Sequence, residues 1–160
     1  MTRRKQAVGL VVALALCFAA AGLGGLLTRE GVAAWYPGIA KPDWTPPGWV
    51  FGPVWTFLYA AMAVAAWLVW RTGREHRRLP LALFAIQLAL NVTWSGLFFA
   101  LRQPGWAFAE ILILWLAILA TTASFYEGSK TAFWLMTPYL AWVTFAAVLN
   151  AAIWRLNLPA

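Results

Sequence analysis

The chain has 160 residues, 63% of them hydrophobic and 11% charged, with a mean hydropathy of +0.72 and a net charge of +7. Five apolar windows are each long enough to cross a bilayer core, which takes about 20 helical residues. They leave no length for a separate soluble domain, and their unbroken apolar runs exclude a β-barrel, which reads as short alternating strands. The sequence therefore predicts an all-α integral membrane protein, a single five-transmembrane-helix bundle over residues 1–160.

The first span is read over residues 6–27, behind the basic stretch Arg3-Arg4-Lys5. That start resembles a secretory signal, but its apolar run exceeds the roughly 7–15 residues of a signal core. Leu16 is also bulky where a small residue should precede a lipoprotein cysteine. Cys17 is the only cysteine, so no internal disulfide can form, and a small buried apolar role is expected for it. Gly22, Gly24 and Gly25 give the helix a small-residue face suited to close packing or to a homodimer.

A connection over residues 28–47 comes next, and long connections in compact domains are usually functional. From Trp35 to Tyr59 the chain carries Trp35, Trp44, Trp49 and Trp55, five prolines and one lysine, Lys41. This is too apolar and too proline-stiffened for a solvated linker. Tryptophan and tyrosine favour the membrane–water interface, where the ring is buried and the polar tip stays wet. The segment predicts a structured loop at the membrane surface, a lid over a site within the bilayer.

The second span, 48–70, places Phe51, Trp55, Tyr59 and Met62 on one face. A turn follows with Arg71, Arg74, Arg77, Arg78 and the single histidine, His76. On the third span, 80–101, Gln87, Asn91, Trp94 and Phe98 share a face, while Ala85 and Ala89 form a second small-residue patch. The fourth, 105–125, holds Trp106 and the one formal charge inside any span, Glu110. Near a helix N-terminus that carboxylate is expected to be wet, paired with Arg29 or Arg102, or a proton relay. On the fifth span, 132–154, Pro138 is expected to kink the helix. Tyr139, Trp142, Ala146 and Asn150 share one face there, and Phe145 an overlapping one.

Arg3, Arg4, Lys5, Arg71, Arg74, Arg77, Arg78 and Lys130 fall on one side of the spans, and Arg29, Lys41, Arg102 and Arg155 on the other. The positive-inside rule then puts the N-terminus in the cytoplasm and the long loop opposite. Membrane orientation, not nucleic-acid binding, accounts for the basic charge. Alternating helix directions bring Trp55, Trp94, Trp106 and Asn150 to the loop side, with Trp142 and Asn91 deeper. The amides alone would serve as interhelical glue. With several indoles and a lid they describe a flat aromatic pocket for planar apolar ligands.

One histidine and one cysteine cannot build a metal centre from nitrogen and sulfur ligands, and His76 lies off the aromatic stripes. No Ser/His/Asp set, glycine-rich phosphate loop or intramembrane carboxylate pair is present. Lys5, Lys41 and Lys130 lie outside the spans, which excludes a retinal-type Schiff base in the bundle. No conventional enzyme and no required cofactor are expected.

The motifs WY at Trp35-Tyr36, KPDWTPP from Lys41, FGPVWTFLY from Phe51 and QLALNVTW from Gln87 run in order along the chain. FF at Phe98-Phe99, GWAFAE from Gly105, PYLAW and FAAVLN through Asn150 continue the series. Together they resemble the TspO/MBR family, tryptophan-rich sensory proteins related to the mitochondrial translocator protein, the peripheral-type benzodiazepine receptor. The resemblance implies a five-helix protein of a bacterial membrane, inner or outer, often homodimeric. It implies binding of porphyrins such as protoporphyrin IX, of sterols and of benzodiazepine-type ligands, in tetrapyrrole and stress responses. By position it implies a ligand pocket with Trp55 and Trp142, Asn91 on its face, Trp44 in the lid, and contacts from Ala109, Ala146 and Leu149. Transport of tetrapyrroles, or light- and oxygen-dependent porphyrin breakdown using Trp55 and Trp142, are the alternative activities it suggests. One departure is that Ala151 and Ala152 stand where the animal proteins carry aromatics in a sterol-recognition pattern, which favours porphyrin over sterol.

Overall fold

The computed structural model describes residues 2–73 and 77–158. Arg74 and His76 lie outside the described residues, so the expectations for them and for the middle of their arginine-rich turn have no structural counterpart. Five helices long and apolar enough to cross a membrane make up the described residues. They are α1 (Arg3–Glu30), α2 (Gly48–Arg71), α3 (Arg78–Ser95), α4 (Pro104–Gly128) and α5 (Lys130–Leu156).

Local chemistry sets several of the ends. The Thr2 side chain accepts a hydrogen bond from the Lys5 amide at the start of α1, and Ser129 does the same for Ala132 at the start of α5. Pro104 opens α4 at its first position, where its missing N–H costs nothing. The turn before it is closed by Arg102 at φ 55, a left-handed conformation that a non-glycine residue adopts only in a tight bend. α5 runs through Pro138 without interruption.

The helices close a ring in the order α1, α2, α5, α4, α3 and back to α1. Its centre is filled by Met62, Ala63, Ala65, Ile118, Phe125, Met136 and Tyr139, all essentially inaccessible. Phe84 stacks on Phe125 with centroids 5.9 Å apart. Cys17 is fully buried on the α1 face of this core. Of Gly22, Gly24 and Gly25, only Gly24 meets a neighbour, the Ser95 hydroxyl at 3.5 Å from an added Cβ; Gly22 and Gly25 face open space.

The connection after the first helix is much shorter than the sequence suggests. α1 continues into a π-helical turn, Gly31–Trp35, and a 3-10 turn, Tyr36–Gly38, leaving only residues 39–47 as loop. The charged Thr28-Arg29-Glu30 stretch looks like a helix end, but nothing in it breaks a helix, and the first proline after it is Pro37. α3 ends the same way, in a π-helical turn over Gly96–Ala100. The two wide turns abut, and a Cβ on Gly31 would collide with the carbonyl oxygen of Phe99.

Candidate functional site

The aromatic residues converge at the end of the bundle where α1, α3 and α5 finish and α2 begins. There a small cavity of about 40 Å³ is walled by Trp142, Phe145, Ala146, Leu149 and Asn150 of α5, with Trp94 of α3. Phe98 and Phe99 of the α3 π-turn, Tyr36 and Phe51 complete it. The wall is a continuous set of ring contacts. Trp94 stacks on Phe98 at 5.2 Å, Phe51 meets Trp142 edge-on at 5.8 Å, and Trp142 leans on Phe145 at 5.6 Å. Such pairs add about 0.5–1.5 kcal/mol each beyond area burial, so the walls hold each other up.

The 39–47 loop packs against the cavity wall and is held at Ala40, Lys41 and Trp44. Trp44 sits edge-on to Phe145 at 5.9 Å. The Lys41 ammonium donates to the Tyr36 carbonyl at 2.7 Å and the Ile39 carbonyl at 2.9 Å, and lies 4.9 Å from the Tyr36 ring centroid. Lys41 thus satisfies carbonyls left over where α1 ends. On the other side Asn157, just past α5, accepts from the Ala40 amide at 3.1 Å and donates to the Ala40 carbonyl at 2.9 Å. That latch joins residues 117 apart and has no sequence signal. Removing it by Asn157→Ala should leave the bundle folded and raise hydrogen exchange in residues 39–45 about tenfold or more, from two bonds of about 1 kcal/mol each. Unchanged exchange there would show that Trp44 and Lys41 hold the loop alone.

Beneath the cavity lies a polar layer. The Tyr59 hydroxyl donates to Asn91 Oδ1 at 2.6 Å, and Asn91 Nδ2 donates to the Tyr139 hydroxyl at 3.1 Å, tying α2, α3 and α5 together. Trp55 rests on this layer, 5.6 Å from Tyr59 and 6.2 Å from Tyr139. Asn150 makes a second tie: Trp94 Nε1 donates to its Oδ1 at 3.0 Å, and its Nδ2 donates to the Pro104 carbonyl at 2.8 Å. Both asparagines are therefore interhelical fasteners. Gln87 makes only a long contact to Met62 Sδ at 4.0 Å, and its Oε1 has no partner among the described residues.

The predicted site residues thus separate into three groups. Trp94, Trp142, Ala146 and Leu149 share the cavity wall, with Trp44 above it. Trp55 and Asn91 belong to the layer below, and both polar ends of the Asn91 amide are spent on tyrosines. Trp106, 71% exposed, and Ala109 face outward, because Ala107 and Glu110 occupy the inward face of α4. Glu110 is 8% exposed and neither carboxyl oxygen has a partner among the described residues. It is neither wet nor paired with Arg29 or Arg102, since Arg102 reaches Glu30 instead at 3.8 Å. Tyr36 and Ile153, which line the cavity, and Asn157, which holds the loop, are site residues that pattern reading missed.

The profile of the TspO/MBR family matches residues 13–155. The chain belongs to the TspO/MBR family. It is 46% identical over 126 residues to the human translocator protein, covering 77% of this chain and 75% of that one. It is 39% identical over 155 residues to the tryptophan-rich protein TspO of Chlorobaculum tepidum, covering 96% of this chain and 98% of its relative. The tryptophan-rich sensory protein of Cereibacter sphaeroides is 40% identical over 144 residues, 90% of this chain and 88% of that one. This TspO/MBR protein is accordingly a multi-pass membrane protein, and Trp35, Trp44, Trp94 and Trp142 gather at one end of its bundle.

Proposed function

We propose that this TspO/MBR protein is a membrane receptor for porphyrins and related flat hydrophobic ligands, held between the α5 wall and the loop. The observation that carries the reading is the cavity itself. Its lining is almost entirely ring faces and aliphatic side chains, with Asn150 and Trp94 supplying polar atoms already paired to each other. At about 40 Å³ it holds no more than a water, so a macrocycle enters only if the 39–47 loop lifts and Phe51, Trp142 and Phe145 part. A loop held by a few polar bonds is suited to that opening.

Transport across the bundle finds less support. Below the cavity the Tyr59–Asn91–Tyr139 layer and the inaccessible Met62, Ile118 and Met136 block a continuous path. A second reading, light-driven porphyrin breakdown, is favoured by one contact set: Trp55 touches two buried tyrosines, which gives an oxidisable indole a neighbouring chain of phenols. Homodimer formation and sterol or benzodiazepine-type ligands belong to the same proposal and carry no separate observation.

The test is quenching of tryptophan fluorescence by protoporphyrin IX in detergent, with a competing synthetic ligand to separate binding from micelle partition. Wild type should show saturable, competable quenching. Trp142→Ala should weaken it at least tenfold, because it removes a wall ring and its contacts to Phe51 and Phe145. Trp55→Phe should bind nearly as wild type and, if breakdown occurs, lose it. Non-saturable quenching that is equal in all three proteins would refute the receptor reading.

A further inference from the structure

A second and larger cavity lies away from the loop. A laterally open groove of about 1280 Å³ lies between α1, α2 and α3 at the opposite end of the bundle. Its walls are apolar: Val12 and Leu16 of α1, Phe84 and Leu88 of α3, and the Trp70 ring of α2. It is wide because the facing residues are small. Ala85 and Ala89 line it, and Trp70 lies so close over Gly9 that an added Cβ there would strike the ring.

One end of this groove is cationic. Arg4 and Lys5 line its mouth, and among the described residues no aspartate or glutamate does. Arg71 sits 4.6 Å from the Trp67 ring centroid, and Arg77 lies 5.9 Å from the Trp70 ring and donates to the Trp70 carbonyl at 2.8 Å. These two arginines lie against tryptophans that line the groove, and such rings mark the interface. Among the described residues Arg4 and Lys5 have no acidic partner. From Lys5 down to Leu23 the groove descends about 27 Å at about 1.5 Å per residue, close to the whole of a hydrocarbon core of about 30 Å.

Cations at headgroup level above an apolar trough long enough for an extended acyl chain match one chemistry. We propose that this groove binds an anionic phospholipid, its phosphate at Arg4 and Lys5 and an acyl chain along α1 and α3 over Ala85 and Ala89. A neutral lipid fits the trough but gains nothing at the mouth.

Native mass spectrometry of the purified protein in detergent tests this with dioleoyl phosphatidylglycerol against dioleoyl phosphatidylcholine. The two share acyl chains and differ in net headgroup charge. Wild type should retain phosphatidylglycerol on the order of tenfold better, from two cations at the membrane surface. Arg4→Ala/Lys5→Ala should erase that preference while keeping the thermal midpoint. Ala85→Phe/Ala89→Phe, which fills the trough, should lose adducts of both lipids. Equal retention in wild type would overturn the proposal, and so would a preference that survives Arg4→Ala/Lys5→Ala. If the phenylalanine variant instead turns a dimer into a monomer with lipid preference intact, the groove is an interface between copies and the proposal falls.

Discussion

Asn91→Leu should lower the thermal midpoint of the bundle by roughly 6–12 °C, more than any other single polar substitution in the spans. The side chain is 3% exposed and serves two hydroxyls from two other helices, Tyr59 and Tyr139. Leucine keeps the volume but leaves both phenols without a partner where no water can reach. Interhelical hydrogen bonds in membranes average about 0.6 kcal/mol and reach about 1.7, because freed groups usually find new partners. Here Tyr139 is fully buried and Tyr59 nearly so, so the cost falls toward the upper end, about 3 kcal/mol for the pair. At roughly 2–4 °C per kcal/mol for a chain of this size, the shift follows. The triple variant Tyr59→Phe/Asn91→Leu/Tyr139→Phe removes every orphaned group and should recover most of the loss. A single variant that melts with wild type, or a triple that melts lower than the single, would show that the polar layer is not what joins α2, α3 and α5.

Gly31→Ala should be nearly as damaging, for a steric reason. The added methyl would overlap the Phe99 carbonyl oxygen and lie 2.9 Å from its carbon and 3.0 Å from its Cα. These are backbone atoms and cannot rotate away as a side chain can. The ends of α1 and α3 must separate, at an overpacking cost of about 1–3 kcal/mol. Phe98 and Phe99 move with them, so the cavity wall should loosen as stability falls. Gly25→Ala is the control. Nothing lies within 4 Å of its added Cβ, and alanine in a helix interior is favoured over glycine by about 0.5–1 kcal/mol. The two substitutions, six residues apart, should shift the thermal midpoint in opposite directions. Equal shifts would mean that the close approach of α1 to α3 is not a constraint.

Span number and order were legible because apolar length is a strong signal and needs no partner to interpret. The Gln87, Asn91, Trp94 stripe was legible as well, since polar residues on an apolar helix must face protein, and the structure buries Gln87 and Asn91. Helix phase on α4 was not. Leu112, Ile113 and Leu116 outside and Ile111, Leu114 and Ile118 inside are chemically alike, so nothing in the sequence tells Ala107 from Ala109 or assigns a side to Trp106. The end of α1 was misjudged because Arg29 and Glu30 look like a boundary, although charged residues at the interface continue a helix freely. The Asn157 latch was invisible for a third reason: its partner is a backbone 117 residues away, and backbone leaves no mark in composition.

The paired wide turns at the ends of α1 and α3 carry one more implication. In each, a backbone amide reaches back five residues rather than four: Tyr36 to the Gly31 carbonyl, and Leu101 to the Gly96 carbonyl at 2.8 Å. Each turn therefore contains one residue more than an α-helix of the same rise needs. Deleting a single residue from either turn would return it to an α turn of nearly the same rise and remove the wide turn that the other packs against. Tyr36, or the bend that delivers the chain to Pro104, would then point elsewhere. The aromatic chamber is thus written partly in residue count. Between distant relatives a one-position gap at these two places would report whether the chamber is kept, even where every tryptophan is matched.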